Sequence, residues 1–342
     1  METIKYYSSD FFDENGDPRV ANYPLMRTPW PIVAACVSYL CFVKIIGPAY
    51  MRDRKPYELF TFIRIYNLAM VLWNAFGFVM ACRLLNYGLD TFGCQPINVQ
   101  DRSERAMTII MYGYIFLLSR VVEFFDTICF VLRKKSRQIS GFHVFHHFSV
   151  PMAVWFFVKF APGGNSAIFP FLNTFIHTVM YSYYFLATYK SARPYLGWKK
   201  FLTQFQIVQF IIMILHSTQP LFIPGCKFPR TFLYINIFFS IVFIYLFTKF
   251  YIENYGKQTV RVAQNVGRRI SQSVQHGVRR LSHIHVGSSP ISASQLEHLS
   301  DNHHLSEKHN NGYQHRGSTL GVMHTINSVG NEMNKLNSKK ED

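Results

Sequence analysis

Residues 232–252 read FLYINIFFSIVFIYLFTKFYI, a stretch of 21 residues in which Lys249 is the single charged side chain. A helix of roughly 20 apolar residues crosses the hydrocarbon core of a bilayer, so this stretch predicts a transmembrane helix. Six similar stretches precede it, at 30–50, 59–85, 106–132, 141–161, 164–189 and 201–223. Short basic loops separate them, which disfavours a large soluble helical protein. The sequence therefore predicts an all-α polytopic membrane protein with seven transmembrane helices.

The composition describes two unlike parts of the chain. Charged residues make up 16% of the 342 residues, against about 25% in ordinary soluble domains. The mean hydropathy of +0.07 averages an apolar part, 30–252, with a polar tail, 253–342. Despite the net charge of +16, this pattern excludes a chain that is disordered throughout, and nucleic acid is not an expected partner.

Lysine and arginine are unevenly distributed between the two sets of loops, and this bias predicts orientation. One set holds 11 of these residues and the other holds 4. The richer set comprises the loops at 51–58, 133–140 and 190–200. The poorer set comprises those at 86–105, 162–163 and 224–231. The richer set is therefore predicted to be cytosolic, which makes residues 1–29 a lumenal segment and the tail cytosolic.

Two of the six cysteines, Cys94 and Cys226, fall in predicted lumenal loops. Because the lumen of the endoplasmic reticulum is oxidising, a disulfide between them is predicted, with two free thiols as the alternative. The tail is expected to be disordered. Its first part, 262–278, has valines and Ile270 at steps of four among arginines, which fits either a basic amphipathic helix on lipid or a solvated segment. Lys339 and Lys340 have the form of a dilysine retrieval signal.

Polar residues cluster within the apolar stretches, where ionisable groups are costly and indicate function. His143, His146 and His147 form an HxxHH pattern that shares one helix face. His216 stands apart and fits a core histidine. The preceding stretch carries Arg120, Glu123, Asp126 and Thr127. A structural ion pair between Arg120 and Glu123 is an alternative to a functional role.

The fifth and sixth stretches add two more polar stripes at helical spacing. Their members are Asn173, His177, Met180, Tyr181 and Tyr184 in the fifth, and Thr203, Gln206 and Gln209 in the sixth. Because lipid does not accept such stripes, they are predicted to face one another in a polar chamber.

Two chemistries fit histidines in such a chamber. A di-iron site needs about eight or more histidine ligands, and five lie in these stretches, so it is disfavoured. A single metal on His143, His146, His147 and His177 stays open. Without a metal, an imidazole can abstract a proton or attack a thioester to form an acyl-imidazole. Glu123, Asp126, Asn173 or Tyr181 would then fix its tautomer and stabilise the oxyanion. A receptor or transporter is the further alternative.

Four motifs in this order carry a family resemblance: RVVEFFDT, HVFHH, NTFIHTVMYSYY and TQFQIVQF. Together they resemble the ELO family of very-long-chain fatty acid elongases, from about Asp17 to Gly256. The stretch that begins at His143 is most similar to the saturated and monounsaturated very-long-chain group. Arg120 stands where the family pattern often has lysine, which puts a proton-donating role at this position in doubt.

The resemblance implies a condensing enzyme of the endoplasmic reticulum membrane that needs no cofactor. It would join malonyl-CoA to a long-chain acyl-CoA, release CO2 and CoA, and give a 3-oxoacyl-CoA. The seven helices would surround an acyl tunnel that is closed at the lumenal side. Carried over by motif, His143, His146, His147 and His177 would be catalytic. His146, supported by His177, is predicted to form the acyl-imidazole, and Glu123, Asp126 and Asn173 would assist.

The substrates would meet two further sets of side chains. Within the bundle, the predicted substrate-binding residues are Arg120, Tyr181, Tyr184, Gln206 and Gln209. At the cytosolic end, the CoA phosphates would meet Arg133, Lys134, Lys135, Lys199 and Lys200, although topology alone also explains these charges. The expected partners are the lipid bilayer and the ketoreductase, dehydratase and enoyl reductase of the elongation cycle, with a homodimer as an open alternative.

Overall fold

The computed structural model of the protein describes residues 6–256, 267–268 and 270–275, and every regular element in these ranges is helical. The long helices follow the predicted apolar stretches closely. They are α1 (Trp30–Met51), α2 (Phe60–Leu84), α3 (Glu104–Val122), α4 (Phe124–Leu132), α5 (Gly141–Phe160), α6 (Ile168–Ala187), α7 (Lys199–Thr218) and α8 (Arg230–Tyr251).

The third predicted stretch is divided between two helices. Glu123 lies between α3 and α4, and the amide of Asp126 donates to the Glu123 carbonyl at 3.1 Å. This bond joins residues three apart, as in the tighter 3₁₀ geometry, so the helix winds more tightly here than the predicted continuous helix. The break falls at the residue whose side chain stands at the centre of the polar chamber.

Among the residues that the structure describes, four helical segments are long and apolar enough to cross a membrane: Trp30–Met51, Phe60–Leu84, Lys199–Phe222 and Arg230–Gly256. Large apolar side chains on these helices point outward, among them Ile45, Ile65, Phe76, Leu215 and Phe238. An exposed apolar surface of this kind fits a lipid environment. The protein is therefore a multi-pass membrane protein, and its remaining long helices carry three of the four predicted polar motifs.

In the described part of the chain, six helices form a closed ring: α2, α3, α5, α6, α7 and α8. Neighbouring pairs in this ring are α3 with α2, α2 with α6, α6 with α7, and α7 with α8. Aromatic contacts join α8 to α5, with the rings of Phe142 and Phe247 4.6 Å apart, and α5 packs against α3. Helix α1 packs against α5, so it lies beside the ring.

One end of the ring is closed by loops that hydrogen bond to each other. The amide of Asn165 donates to the carbonyls of Thr91 and Gly93, each at 2.9 Å, and accepts from the Gln95 amide at 2.8 Å. His216 contacts the Thr91 carbonyl at 2.8 Å, which fits the predicted core histidine. A disulfide joins Cys94 to Cys226 at this end.

The N-terminal segment packs onto the same end of α5. Its Asp17 amide donates to the Lys159 carbonyl at 2.7 Å, and Trp155 Nε1 donates to the Leu25 carbonyl at 2.8 Å. Asp17 and Arg19 form a buried ion pair at 2.6 Å. These contacts place the segment and the disulfide at one end of the bundle.

The chain divides into two units, Met1–Asn265 and Val266–Asp342. The residues of the second unit that the structure describes, 267–268 and 270–275, are helical, and the side chains of Ile270 and Val274 are exposed. Val262, Val266 and Val278 of the predicted amphipathic helix lie outside the described residues, as do Lys339 and Lys340. The predicted division of the chain into the segments 1–29, 30–252 and 253–342 stays a prediction.

Candidate active site

A buried ionic network joins α2, α3 and α6. The Glu123 carboxylate accepts from Arg120 Nη2 at 2.9 Å and from His177 Nδ1 at 2.8 Å. Arg120 Nη1 also donates to Asn173 Oδ1 at 2.9 Å, and Nη2 donates to Asn74 Oδ1 at 3.4 Å. The exposed fractions of Arg120 and Glu123 are 1% and 2%. The network thus consists of opposite charges that are fully removed from solvent.

One tautomer of His177 satisfies the contact with Glu123 together with the Arg120 contact through Nε2. Nδ1 lies 2.8 Å from Glu123 Oε1, so a hydrogen on Nδ1 is donated to that carboxylate. Arg120 Nη1 lies 3.0 Å from Nδ1 and 3.2 Å from Nε2, and because arginine has no acceptor it donates to the unprotonated Nε2. The carboxylate and the guanidinium together fix the orientation of the His177 ring. The predicted pair of Arg120 and Glu123 is present, and whether its role is structural or functional stays open.

The three histidines of the HxxHH pattern lie together on α5. The ring centroids of His143 and His147 are 4.4 Å apart, and those of His146 and His147 are 5.3 Å apart. Ser140 caps α5 by accepting from the His143 amide at 3.1 Å, which starts the helix just before the pattern. His143 Nε2 lies 2.8 Å from Thr127 Oγ1, which lies 3.0 Å from the Tyr39 hydroxyl.

His146 lies between the ionic network and an aromatic wall. Its electrostatic neighbours include Glu123 and His177. On the other side, its ring centroid is 5.4 Å from that of Phe243 and 6.5 Å from that of Phe142. His143 and His146 are partly exposed, whereas His147 is buried. Within the HxxHH pattern, His146 is the histidine whose ring contacts Phe243.

Asp126 contacts a tyrosine and lies apart from the histidine cluster. It accepts from the Tyr181 hydroxyl at 2.6 Å, and no hydrogen bond joins it to a histidine in the described part of the chain. Tyr66 packs edge-on against Tyr181, with centroids 6.1 Å apart. Tyr184 packs against the other side of Tyr181 at 5.8 Å and is exposed. The structure thus places Asp126 beside the phenols and not in the histidine cluster.

Helix α7 contributes amides next to α6. Gln206 Nε2 contacts Met180 Sδ at 3.9 Å. Gln209 is buried, and its Nε2 is one of the buried side-chain atoms without a hydrogen-bond partner among the described residues. Thr203 is buried one turn before Gln206. The predicted polar stripe of α7 therefore faces the interior, and it makes no hydrogen bond to the described histidines.

The predicted CoA-binding residues lie at the ends of α4 and α7, opposite the disulfide. Lys135, Lys199 and Lys200 are exposed. Arg133 stacks over the Phe60 ring at 4.7 Å, and Lys134 Nζ donates to the Arg52 carbonyl at 3.2 Å. These contacts bring two of the basic loops together at one end of the bundle. This end is also where α5 begins, immediately before the histidines.

Two neighbouring apolar cavities occupy the interior of the ring. The near cavity has a volume of about 40 Å³ and is lined by Phe243, the ring that contacts His146. The far cavity has a volume of about 60 Å³ and reaches Pro162 and Gly163 at the closed end. Four residues line both cavities: Val154, Phe157, Phe169 and Asn236. The two cavities therefore lie in succession between Phe243 and the closed end of the ring.

The donor geometry does not favour a metal centre. Within the described ranges, no group of three or more His, Cys, Asp or Glu side chains is arranged to hold a metal ion. The nitrogen of His143 that faces α4 is engaged by Thr127, and His177 is engaged by Glu123 and Arg120. Two of the four histidines that a single metal would need, His143 and His177, thus have other partners.

Several members of the site were not predicted, because they lie in stretches that were predicted only as transmembrane helices. Asn74 accepts from Arg120, Tyr39 contacts Thr127, and Tyr66 packs on Tyr181. Asn74 could have been predicted from the sequence, since a buried amide in an apolar helix needs a hydrogen-bond partner. Phe243 and Tyr39 gave no signal, because aromatic residues are frequent throughout the apolar stretches.

Comparison with known proteins gives one consistent result. Residues 24–263 match the ELO profile, described as the GNS1/SUR4 family. A very long chain fatty acid elongase of Aedes aegypti is 39% identical over 272 residues, which cover 78% of this chain and 75% of the relative. Elongase 7 of Drosophila melanogaster is 40% identical over 253 residues, covering 73% and 76%. Elongase 1 of Mus musculus is 35% identical over 269 residues, covering 77% and 95%. The chain therefore belongs to the ELO family of very long chain fatty acid elongases.

Proposed function

We propose that this chain catalyses the condensation step of fatty acid elongation, in which malonyl-CoA extends a long-chain acyl-CoA to a 3-oxoacyl-CoA. The observation that carries the proposal is the position of His146. This residue interacts electrostatically with Glu123 and His177, and its ring contacts Phe243 on the wall of the near cavity. A thioester at His146 would have polar groups on one side and an apolar space for its acyl chain on the other.

The reaction proceeds in two steps. In the first, a His146 nitrogen attacks the thioester carbonyl, the carbon–sulfur bond breaks, and the proton of the other ring nitrogen leaves with CoA. The product is a neutral acyl-imidazole. In the second, malonyl-CoA loses CO2, and the resulting enolate carbon attacks the acyl carbonyl. The carbon–nitrogen bond breaks, and the imidazole regains a proton from solvent.

The ionic network supports this chemistry through charge. The Glu123 carboxylate stabilises the positive imidazolium that forms transiently when His146 attacks, because Glu123 is buried and solvent does not screen its charge. Arg120 holds Asn173 and Glu123 in place. His143 and His147 pack against one another and restrict the wall beside His146. No resident cofactor is required, because the thioester and the loss of CO2 drive the bond formation.

The proposed membrane arrangement has seven spans. Helices α3 with α4, α5 and α6 would cross the bilayer beside the four apolar helices, with their polar side chains turned into the ring. The excess of lysine and arginine at one end then places that end in the cytosol and the disulfide end in the lumen of the endoplasmic reticulum. The N-terminal segment would be lumenal and the tail cytosolic.

CoA would bind at the cytosolic end. Lys135, Lys199 and Lys200 are exposed there and offer charge to its phosphates, while Arg133 and Lys134 stand at the same end of α4. Gln206, Gln209 and Tyr184 would line the path from this end. Arg120 and Tyr181 are more deeply buried, so we assign them to positioning Glu123 and Asp126.

The remaining expectations belong to the same proposal. The product would pass to the ketoreductase, dehydratase and enoyl reductase of the elongation cycle. A saturated or monounsaturated very-long-chain substrate is favoured by the HVFHH stretch. Lys339 and Lys340 would retain the protein in the endoplasmic reticulum. A homodimer stays an open alternative.

Intact-mass spectrometry tests the covalent step. Purified protein in detergent, treated with a chelator, is mixed with a long-chain acyl-CoA alone and then with malonyl-CoA. We expect an acyl adduct that malonyl-CoA discharges. The adduct should be lost in His146→Ala, whose turnover should fall at least about 100-fold. The control is His216→Gln, which keeps a donor to the Thr91 carbonyl far from the reacting groups.

Three outcomes would overturn parts of this proposal. Turnover without any adduct would reduce the histidines to acid–base roles and leave condensation intact. No adduct and no 3-oxoacyl-CoA, with activity that appears on adding iron and oxygen, would replace condensation by a metal-dependent desaturase or hydroxylase reaction. An adduct that survives in His146→Ala would move the nucleophile to another side chain.

A further inference from the structure

Hydrogen bonds connect α1, which lies beside the ring, to the HxxHH pattern on α5. The Tyr39 hydroxyl lies 3.0 Å from Thr127 Oγ1 on α4, and Thr127 Oγ1 lies 2.8 Å from His143 Nε2. The exposed fractions of Tyr39 and Thr127 are 4% and 0%, so solvent does not compete for these bonds. We call Tyr39, Thr127 and His143 the hydroxyl chain.

The Thr127 hydroxyl bonds to other helices, whereas several threonines bond to their own helix. Among the described residues, four threonine hydroxyls donate to the carbonyl four residues earlier at 2.7–2.8 Å: those of Thr108, Thr174, Thr178 and Thr218. Such a bond is the usual local alternative for a threonine in a helix. The contact with the Tyr39 hydroxyl therefore favours the orientation in which Thr127 faces His143. The Tyr39 ring is itself held by stacking on Phe124, with centroids 4.5 Å apart.

One direction of donation satisfies the whole hydroxyl chain. When Tyr39 donates to Thr127 and Thr127 donates to His143 Nε2, both hydroxyl hydrogens have an acceptor. In any other arrangement, one of these hydrogens has no acceptor among the described residues, which is unfavourable for a buried donor. His143 Nε2 is therefore unprotonated, and the ring hydrogen lies on Nδ1. Because the two ring nitrogens point in different directions, the Nδ1 hydrogen points away from Thr127.

His143 lies beside the histidine that reacts in the proposed mechanism. His143 and His146 are three residues apart on α5 and so share a helix face. Both rings pack against His147, with centroids 4.4 Å and 5.3 Å from its own. His143 is partly exposed and lies nearer the basic end of the bundle, from which CoA would enter. A thioester that reacts at His146 would therefore come within reach of the Nδ1 hydrogen of His143.

We propose that Tyr39 is a positioning residue for condensation: through Thr127 it holds His143 in the form that donates a hydrogen bond from Nδ1 to the thioester oxygen. The inference rests on the proposed function, because it takes His146 to be the nucleophile. The thioester oxygen gains negative charge as the carbon–nitrogen bond forms, and it becomes a carbonyl oxygen again as the carbon–sulfur bond breaks. A donor placed before the reaction stabilises that charge. No proton moves along the hydroxyl chain, so the proton balance of the two steps is unchanged.

Removing each hydroxyl tests the proposal. In Tyr39→Phe, the Thr127 hydroxyl is free to bond the carbonyl four residues earlier, and in Thr127→Val the hydroxyl is absent. We expect kcat to fall at least about tenfold in each variant, with KM for the acyl-CoA unchanged, because the lost interaction belongs to the transition state. Formation of the acyl adduct from acyl-CoA alone should slow by the same factor. Thr127→Ser keeps a hydroxyl and should retain most of the activity.

The double variant distinguishes the hydroxyl chain from a general loss of packing. Because Tyr39 acts through Thr127, Tyr39→Phe combined with Thr127→Val should be no slower than Thr127→Val alone. Two independent packing defects would instead multiply their effects on kcat. Unfolding temperatures of all variants are measured in parallel, so that kcat is compared where each variant is folded.

Tyr112→Phe is the matched control, since it loses a hydroxyl that donates to the Pro170 carbonyl at 3.2 Å, more than two turns before Arg120 on α3. Its kcat should equal that of the unmodified protein. Unchanged kcat in both Tyr39→Phe and Thr127→Val, or losses that multiply in the double variant, would overturn the role of the hydroxyl chain and leave condensation standing. Absence of both adduct and 3-oxoacyl-CoA in the unmodified protein would instead overturn the proposed function.

Discussion

Glu123 accepts hydrogen bonds from both Arg120 and His177, so it is the residue on which the ionic network depends. Glu123→Gln keeps the shape of the side chain and removes its charge. Breaking a buried pair costs about 3–5 kcal/mol because the remaining charge is uncompensated. We therefore expect a lower unfolding temperature.

The same variant should lose activity at temperatures where it remains folded. Without the carboxylate, the imidazolium at His146 is not stabilised, and kcat should fall about 100-fold. The measurement is kcat in detergent well below the unfolding temperature of the variant. Glu104→Gln is the control, since Glu104 is exposed in the first turn of α3. A variant at Glu123 that keeps more than half of the normal kcat would contradict the assigned role.

Arg120 supplies donors to several acceptors at once. Its guanidinium reaches Glu123, Asn173 and Asn74, whereas a lysine would keep the charge with three donors on one nitrogen. We expect Arg120→Lys to retain the pairing with Glu123 and to lose the bonds to the two amides. Arg120→Gln loses the charge itself.

The prediction is an order of activity: the unmodified protein, then Arg120→Lys, then Arg120→Gln, with about tenfold between the two variants. Parallel measurements of kcat and unfolding temperature separate the two effects. Equal kcat values for lysine and glutamine at this position would mean that the charge of Arg120 is irrelevant to turnover, and that the network is only a structural link between α3 and α6.

At the scale of elements, the disulfide fastens the loop after α2 to the loop before α8. It closes a sequence separation of 132 residues, and a crosslink of this span stabilises a chain by up to about 5 kcal/mol through the entropy of the unfolded state. We expect the double variant Cys94→Ser with Cys226→Ser to unfold at a temperature several degrees lower.

Reductant provides the internal control for that measurement. It should lower the unfolding temperature of the unmodified protein to that of the double variant and leave the double variant unchanged. Cys36, Cys41, Cys82 and Cys129 are free thiols, so they give reductant no other bond to break among the described cysteines. An effect of reductant on the double variant would show that stability depends on something other than this crosslink.

The positions of the long helices could be predicted from the sequence, because runs of apolar residues follow directly from the thickness of a bilayer. The division at Glu123 could not. No proline or glycine marks it, and it depends on contacts with Arg120 and with His177 more than fifty residues away. Helical spacing likewise predicted that His143, His146 and His147 share a face, but Asp126 sits at the edge of its face, and only packing decided that it meets Tyr181.

The whole molecule has two chemically different ends, and this polarity determines how it would sit in a membrane. The basic loops gather at the end where α5 begins, as the bond between Lys134 and the Arg52 carbonyl illustrates. The disulfide and the loops clamped by Asn165 occupy the other end. CoA carries phosphates, so its approach is favoured at the basic end.

The last prediction concerns this orientation. An epitope placed after residue 342 should be digested when intact microsomes are treated with a protease, because the proposed topology puts the tail in the cytosol. An epitope placed before residue 1 should be protected until detergent opens the vesicles. The two epitopes on one chain control for each other, since leaky vesicles would expose both. If instead the C-terminal epitope is protected and the N-terminal one is digested, the orientation in the membrane is opposite to the proposed one. The basic end would then face the lumen, away from cytosolic malonyl-CoA, and the proposed entry of CoA would have to be abandoned.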